Sequence, residues 1–247
     1  MIISHKHKFI FIKTFKVSGT SMEIALSRYT GKKDILTPLN LEDEIKRYKK
    51  TGALPQNYSK NKLEEIRYKN YIKKLSKKKI SKKILNELEK KKDEKFKSMI
   101  YYNHIPAEKI KKLIEKKIWK KYFKFTIERN PYDKVISFMY FANRFKEIKN
   151  IKNEIDKTIR LKKYLNYPIY TNRNKKILVD YILDYGSLKK NVKFLESKLN
   201  LELNKFYIKT KNSTRKNKIN YRKILTFDQI KKIKNDTNLE FQIMKYK

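Results

Sequence analysis

The sequence feature that most constrains the fold is a short apolar run near the start of the chain, which leads through a polar loop into a helical pattern. Residues 9–12 (FIFI) lie between lysines, as expected for a strand that is buried on both faces. The loop at 15–21 (FKVSGTS) comes next, and residues 20–29 carry apolar side chains at helical spacing, with Thr20 or Ser21 able to cap the helix. The pattern predicts a strand, a loop and a helix, with 9–12 as the first strand of a parallel sheet.

The loop has the composition of an anion-binding turn. Backbone N–H groups and the helix dipole favour an anion where a strand leads into a helix. Lys16 adds a full positive charge, Gly19 lets the backbone approach a phosphate closely, and two hydroxyl groups follow. A Walker loop, GxxxxGK[ST], has its lysine after the second glycine, whereas Lys16 precedes the glycine. An ordinary kinase or ATPase is therefore disfavoured, and a capped helix with an unrelated lysine is the alternative.

A second predicted strand-to-helix junction carries the sequence RNPYDKVIS, which begins at Arg129. The guanidinium of Arg129 has the geometry of a two-point anion clamp. Ser137 lies about two helical turns further along, on a face that a ligand could reach. The alternative is structural: Asn130 caps the helix, Asp133 occupies its first turn, and Arg129 pairs with a carboxylate.

Strands and helices alternate along the rest of the chain, which predicts an α/β domain with a parallel sheet flanked by helices. Further strands are predicted at residues 34–39, 99–103, 123–127 and 177–183, and helices at 41–50, 106–121, from 131, at 145–165, 187–199 and 226–247. The lysine-crowded segment 59–97 is predicted as a helical hairpin with a narrow, partly exposed apolar stripe, which could be a mobile lid. A low-complexity solvated insertion is the alternative.

Composition limits the broad class of protein. The chain has 65 Lys and Arg against 25 Asp and Glu, a formal net charge of +40 over 247 residues. Its length fits a single domain, 1–247, with a sizeable core. The charge favours an anionic partner, although a lysine bias spread over the whole surface accounts for it equally well.

The same composition bears on location. Cysteine is absent, which suits a reducing compartment, so a cytoplasmic location is expected. No window approaches the roughly 20 apolar residues of a membrane span, so no transmembrane segment is expected. His5 and His7 are expected to lie in a flexible start.

Together, the two junctions resemble the nucleotide-binding motifs of sulfotransferases that use PAPS (3'-phosphoadenosine 5'-phosphosulfate), and they are most similar to those of the carbohydrate sulfotransferases. KFIFIKTFKVSGTSME resembles the 5'-phosphosulfate loop of that family, whose usual form is near HIPKTAGTS. FKFTIERNPYDKVIS resembles its 3'-phosphate motif, usually RNPYDRxxS. Both motifs occur in the expected order, each at a predicted strand end. The resemblance covers the motifs and their flanks, and it does not extend to residues 55–98.

The resemblance implies a P-loop NTPase-like fold and a role for each motif residue. The 5'-phosphate would be held by the loop residues Lys16, Val17, Ser18, Gly19, Thr20 and Ser21. Lys16 would also neutralise charge on the oxygen between phosphate and sulfate as that bond breaks, and Arg129 and Ser137 would hold the 3'-phosphate. No metal is required for this reaction.

The chain departs from the usual motifs at four positions. Lys13 stands where the family often has His, Phe15 replaces Pro, and Lys134 replaces the second Arg. Val17 replaces Thr, which removes one hydroxyl donor to a phosphate. The loop lysine, the glycine, the hydroxyl pair, Arg129 and the later serine are retained.

A transferase of this kind needs a base for the acceptor hydroxyl. His104 follows a predicted strand and precedes a helix that opens at Pro106, which is where α/β sheets place their sites. The ordinary histidine pKa of about 6.5 suits proton abstraction near neutrality, and glycan enzymes of this family often have a catalytic His after this strand. A His that caps the helix is the alternative, and Glu108 and Glu128 are lesser candidates for base or orienting group.

Two later segments complete the resemblance. A late strand and helix, often written YENL in the family, is matched by Tyr185, Gly186, Ser187 and Leu188, without the acidic residue. The basic segment 209–222 lies where such enzymes often have a loop over the nucleotide. Lys211, Arg215 or Arg222 could therefore touch a phosphate, and a disordered basic loop is the alternative.

The sequence therefore predicts a PAPS-dependent sulfotransferase that transfers a sulfuryl group to a hydroxyl, with a carbohydrate as the expected acceptor. The alternative from another class is a non-catalytic basic protein that binds nucleic acid through its lysines and aromatic residues.

Overall fold

The computed structural model describes residues 1–95, 98–144, 146–207 and 220–246. Its strands are β1 (Ile2–Ser4), β2 (Phe9–Phe11), β3 (Ile35–Leu36), β4 (Phe123–Glu128) and β5 (Tyr181–Asp184). Its helices are α1 (Gly19–Ser27), α2 (Leu41–Thr51), α3 (Lys62–Ser76), α4 (Lys82–Lys95), α5 (Ala107–Leu113), α6 (Lys116–Lys121), α7 (Pro131–Ala142), α8 (Ile151–Leu161), α9 (Tyr167–Tyr170), α10 (Leu188–Leu199), α11 (Phe227–Asp236) and α12 (Asn238–Met244).

The strands form one mixed sheet in the order β3-β1-β2-β4-β5. β2, β4 and β5 run parallel to each other, whereas β1 pairs antiparallel with both β2 and β3. The domain is therefore α/β as predicted, but the expectation of a wholly parallel sheet is wrong. Because β1 and β2 are joined by a short turn, they can only pair as a hairpin.

The start of the chain is part of this sheet. The side chains of β1 are fully buried, and His5 Nδ1 lies 3.0 Å from the hydroxyl of Tyr122. The expectation that His5 and His7 lie in a flexible start is wrong. The assignment of residues 9–12 as the first parallel strand is confirmed, because β2 is the first strand that has a parallel partner, but the antiparallel strand β1 before it was not predicted. The sequence does not reveal β1, because the apolar run before the turn is too short to show the period of a strand.

Helices cover both faces of the sheet, and β2 supplies alternate side chains to the two faces. Ile10 and Ile12 pack in a core with Ile72 of α3 and Ile110 of α5. The aromatic residues of β2 pack on the opposite face with residues of β4, α1 and α10, namely Phe9, Phe11, Phe125, Met22 and Leu195. This alternation follows from the two-residue period of a strand. A third apolar cluster joins α7, α8, α11 and α12.

Several predicted elements differ in the structure. Residues 99–103 do not form a sheet strand; the N–H groups of Ile100 and Tyr101 both donate to the carbonyl of Tyr58 instead. The strand predicted at 177–183 is shorter, begins at Tyr181 and lies at the edge of the sheet. The helix predicted at 106–121 is broken into α5 and α6 because Ile114 is extended.

The lysine-rich segment 59–97 contains α3 and α4, which both contact α2. Tyr68, Ile72 and Leu75 of α3 are buried, whereas Leu63 and Ile66 are exposed. A low-complexity solvated insertion therefore does not describe α3. Among the described residues, no helix is long and apolar enough to cross a membrane.

Candidate active site

A cleft of about 540 Å³ lies where the three parallel strands end. The loop after β2, Arg129 after β4 and Tyr185 after β5 all line it, because the carboxyl ends of neighbouring parallel strands meet at one edge of a sheet. Predicted site residues at the cleft are Lys16, Val17, Ser18, Gly19, Thr20, His104, Arg129 and Ser137. The structure thus brings together residues that are far apart in sequence, while Ser21 does not line the cleft.

The loop between β2 and α1 has an unusual backbone. Lys16 and Ser18 have positive φ angles of 59° and 63°, in a left-handed region that residues other than glycine seldom adopt. Ser18 is the N-cap of α1, and its side chain makes no capping hydrogen bond. The expectation that Thr20 or Ser21 caps α1 is therefore wrong. Backbone N–H groups at the start of a helix favour an anion.

A glycine is required at position 19 because the side chain of Lys13 occupies the space that a Cβ atom would need. A Cβ atom at this position would lie 2.9 Å from Cγ of Lys13. Lys13 is nearly buried, and its Nζ donates to Oε2 of the fully buried Glu23 at 2.5 Å. Lys13 is one of the departures from the family motif, and here it is a structural ion-pair partner beneath the loop.

The hydroxyl groups of the loop divide between the cleft and the interior. Ser18 Oγ donates to Ser21 Oγ at 3.2 Å and lies 2.9 Å from the hydroxyl of Tyr207. Ser21 is fully buried, so its hydroxyl serves these internal contacts. Val17 also has a buried side chain, which packs in the apolar core; only its backbone can meet a ligand. Burial raises the pKa of Tyr207, which keeps its hydroxyl protonated.

The candidate catalytic lysine faces an aromatic wall of the cleft. Nζ of Lys16 lies 4.1 Å from the ring centroid of Phe141 on α7. A cation at this distance from a ring face is attracted by the ring quadrupole. The ammonium group of Lys16 therefore contacts α7, whereas the backbone of Lys16 belongs to the loop between β2 and α1.

Arg129 connects the two predicted motifs directly. Its Nη1 donates to the carbonyl oxygen of Lys16 at 3.0 Å. Its guanidinium also pairs with Asp133, with Nε to Oδ2 at 2.7 Å, and lies 4.3 Å from the ring centroid of Tyr185. Asn130 caps α7 by accepting from the N–H of Tyr132 at 3.1 Å. The structural alternative for this motif is thus present: Asn130 caps the helix and Arg129 pairs with a carboxylate. Arg129 also lines the cleft.

His104 lies in a turn rather than after a sheet strand, and it has a positive φ of 60°. Its ring stacks on Phe15, with centroids 3.9 Å apart and planes 20° apart. Its Nδ1 is 3.1 Å from the carbonyl oxygen of Lys13. Since a carbonyl only accepts, Nδ1 carries the proton and the lone pair of the neutral ring is on Nε2. This is the tautomer in which Nε2 can act as a base.

The lesser base candidates lie elsewhere. Glu108 is on α5 and does not line the cleft. Glu128 is fully buried and binds Nζ of Lys134 at 2.8 Å, and the same Nζ donates to Glu240 at 2.5 Å. Burial and the neighbouring Glu128 raise the pKa of Glu240 to about 7. Although burial alone would lower the pKa of Lys134, the two carboxylates raise it above its ordinary value.

The cleft is also lined by parts of the chain that carry no motif. They are Pro38, Leu39, Asn40, Glu89, Lys92, Met99, Tyr102 and Asn103. Glu89 and Lys92 come from α4, so the lysine-rich segment forms one wall, and Glu89 also accepts from the N–H of Leu41 at 2.5 Å. Sequence reasoning missed Glu89 and Lys92 because only the packing of α4 on α2 brings them to the cleft.

Among the residues of the two later segments that the structure describes, only Tyr185 lines the cleft. Ser187 and Leu188 form the junction to α10, and Arg222 lies beside Tyr221. Lys211 and Arg215 lie outside the described residues.

A protein of the archaeon Archaeoglobus fulgidus is 34% identical to the chain over 100 residues, which make up 39% of this chain and 83% of the archaeal protein. The two proteins belong to one family. The archaeal member is described only as an uncharacterized protein, so the kinship brings no activity with it. No family model and no solved structure matches the chain.

Proposed function

We propose that the protein is a PAPS-dependent sulfotransferase with a P-loop-like nucleotide site. The observation that carries the proposal is the convergence of Lys16, Arg129 and His104 on one cleft at the carboxyl ends of β2 and β4. Lys16 and Arg129 belong to two separate sequence motifs, and His104 lies in a third segment far from Lys16 in sequence. If the loop were only a capped helix start with an unrelated lysine, Lys16 would have no reason to share a cleft with Arg129 and His104.

The chemistry of the cleft fits a nucleotide with two separate phosphate groups. The uncapped start of α1 and the Lys16 ammonium supply N–H donors and charge for one phosphate. Arg129 and Ser137, on the adjoining junction, supply donors for the other. Aromatic side chains of Phe138 and Phe141 line the cleft near them, which suits the flat surface of a base.

The chain's own residues provide what sulfuryl transfer needs. PAPS supplies the sulfuryl group, which passes to the acceptor oxygen while its bond to the 5'-phosphate oxygen breaks. Nε2 of His104 takes the proton of the acceptor hydroxyl, because Nδ1 is committed to the Lys13 carbonyl. Lys16 neutralises the negative charge that develops on the departing phosphate oxygen. Arg129 holds the Lys16 backbone, and with it the loop, in place.

The acceptor would enter from the end of the cleft that α4 forms. Asn40 and Tyr102 line that end, and amide and hydroxyl groups beside an aromatic ring suit a sugar. A hydroxyl-bearing carbohydrate is therefore the proposed acceptor. The absence of cysteine is in keeping with a cytoplasmic location.

A thermal-shift titration with PAP, the desulfated nucleotide, against ATP and AMP tests the proposal. PAP should raise the unfolding temperature more than AMP or ATP at equal concentration, because only PAP offers phosphates at both the 3' and 5' positions. An equal or larger shift with ATP, or no shift with PAP, would overturn the proposal.

The nucleic-acid alternative makes the opposite prediction. It requires steeply salt-dependent binding of DNA or RNA that survives Lys16→Ala, since many lysines would share the phosphate contacts. A sulfotransferase should instead bind its nucleotide more weakly after that substitution.

A further inference from the structure

Asn166, which immediately precedes α9, forms hydrogen bonds with the backbone of the loop between β2 and α1. Its side-chain oxygen accepts from the N–H of Phe15 at 2.8 Å, and its side-chain amide donates to the carbonyl of Phe15 at 3.1 Å. Two bonds to the donor and the acceptor of one residue fix both its position and its orientation. Asn166 is fully buried, so neither bond competes with water.

The other side of Asn166 is anchored to a charged cluster. Its amide also donates to Oε1 of Glu128 at 3.0 Å, and its backbone N–H donates to Oε1 of Glu240 at 2.7 Å. Both carboxylates are fully buried and share Nζ of Lys134. The loop is thus tied through one amide to a rigid ionic cluster between β4, α7 and α12.

The restrained backbone of Phe15 also affects His104, which packs against the Phe15 ring. Its ring is the surface on which the imidazole stacks, and the carbonyl that fixes the His104 tautomer belongs to Lys13, two positions earlier in the loop. Lys16 follows Phe15 directly. Both candidate catalytic side chains therefore depend on where the Phe15 backbone lies.

We propose that Asn166 is a positioning residue: by clamping the Phe15 backbone, it sets the placement of Lys16 and the tautomer of His104. Only the link to a transfer rate rests on the proposed function. The effect on the His104 ring does not, so the two can fail separately.

The histidines make the clamp directly measurable. The chain has three, so ¹⁵N-histidine labelling gives three ring systems in a two-dimensional NMR spectrum, and His104→Ala assigns the relevant one. In the unaltered protein, His104 should show a protonated Nδ1 and an unprotonated Nε2 at a pH where the ring is neutral. In Asn166→Ala it should show a mixture of tautomers, while His5 and His7 keep their resonances.

Gln229→Ala is the matched control. Gln229 is a buried amide that donates to the Lys152 carbonyl and to Asp156, away from the cleft. It should lower thermal stability without changing the His104 ring. An unchanged His104 tautomer in folded Asn166→Ala would overturn the proposal, because a merely structural amide would then explain its contacts.

Two further variants cover the case in which Asn166→Ala does not fold. Asn166→Asp keeps the side-chain volume and the acceptor for the Phe15 N–H, but it loses both donors. Asn166→Asp should therefore give a mixture of His104 tautomers. Phe15→Leu removes the stacked ring but leaves the backbone bonds to Asn166, so it should keep the tautomer although the loss of the ring shifts the resonances. An unchanged tautomer in folded Asn166→Asp, or a changed tautomer in Phe15→Leu, contradicts the proposal.

The kinetic consequence follows if the proposed function holds. In Asn166→Ala, kcat for sulfuryl transfer should fall about 10- to 100-fold, because small misplacements of catalytic groups have effects of this size. KM for the acceptor should change little, since Asn166 lies outside the cleft. A selective rise in KM with unchanged kcat would contradict a positioning role.

Discussion

The guanidinium of Arg129 donates a hydrogen bond to the main-chain carbonyl of Lys16 at 3.0 Å, which joins positions that are 113 residues apart. One junction follows β2 and the other follows β4, and these strands are parallel neighbours. Both residues line one cleft, which therefore carries two cationic side chains from separate junctions.

Lys16→Ala should lower the rate of sulfuryl transfer by about 10²- to 10³-fold, because it removes a charge aimed at the leaving oxygen. The fold should persist, since the Lys16 side chain lies at the cleft rather than in a core. Transfer of labelled sulfate from PAPS, together with circular dichroism, measures both. Lys190→Ala, at an exposed position on α10, is the control and should leave the rate unchanged. Equal losses in both variants would indicate a general charge effect.

His104→Ala should lower the transfer rate by about 10²- to 10⁴-fold, the usual contribution of a general base. In the unaltered protein, kcat/KM should rise with pH as the imidazole loses its proton, and this rise should be absent in the variant. His5→Ala removes a histidine that does not line the cleft and should keep the profile. A pH profile that is the same with and without His104 would exclude it as the base.

Gly19→Ala should destabilise the protein by about 1–3 kcal/mol, as overpacking does. The added methyl group would meet Cγ of Lys13 at 2.9 Å, and Lys13 cannot move freely while it binds Glu23. Gly31→Ala is the matched control, because its new Cβ would make only ordinary contacts at 3.6 Å with Lys6. Urea unfolding compares the two; equal stability of both variants would refute the packing argument.

Glu240 should make the stability of the protein depend on pH. Burial and Glu128 raise its pKa from the ordinary 4.5 to about 7, so the folded state binds a proton that the unfolded state has released. The free energy of unfolding should therefore fall as pH rises from about 4.5 to about 7, by up to about 3 kcal/mol from this group. The contribution is fully present below pH 4.5.

Glu240→Gln tests this dependence, because glutamine does not titrate. Urea unfolding at pH 5 and pH 8 should show a smaller difference in this variant than in the unaltered protein. Glu202→Gln, at an exposed position, should retain the full difference. Parallel behaviour of all three proteins would assign the pH dependence to other groups.

The parts of the fold that the sequence predicted well are those with local signals. β4 and α7 were predicted because alternation, Asn130 and Pro131 mark them within a few residues. β1 was missed because its three residues pair with β2 and β3, and such pairing leaves no local period. The strand expected at 99–103 failed for the opposite reason: an apolar run found its hydrogen-bond partner in Tyr58 rather than in the sheet.

The candidate site shows the same division. Lys16, Gly19 and Arg129 stand out in sequence because their residue types and spacing suit a phosphate. Asn166 does not, since a single asparagine in YLNYP carries no such pattern and its loop partner is 151 positions away. Tyr207 was missed likewise, because only the packing of the segment after α10 brings its hydroxyl to Ser18.

Calorimetric titration of PAP and AMP tests most directly whether one nucleotide bridges the two junctions. The unaltered protein should bind PAP at least about 10-fold more tightly than AMP, since a charge-assisted bond to the 3'-phosphate contributes about 1.5–3 kcal/mol. In Arg129→Ala the ratio of the two affinities should fall towards one, whereas Lys16→Ala should weaken both nucleotides and keep the ratio. A PAP-to-AMP ratio near one in the unaltered protein, or a ratio that Arg129→Ala leaves intact, would contradict the claim.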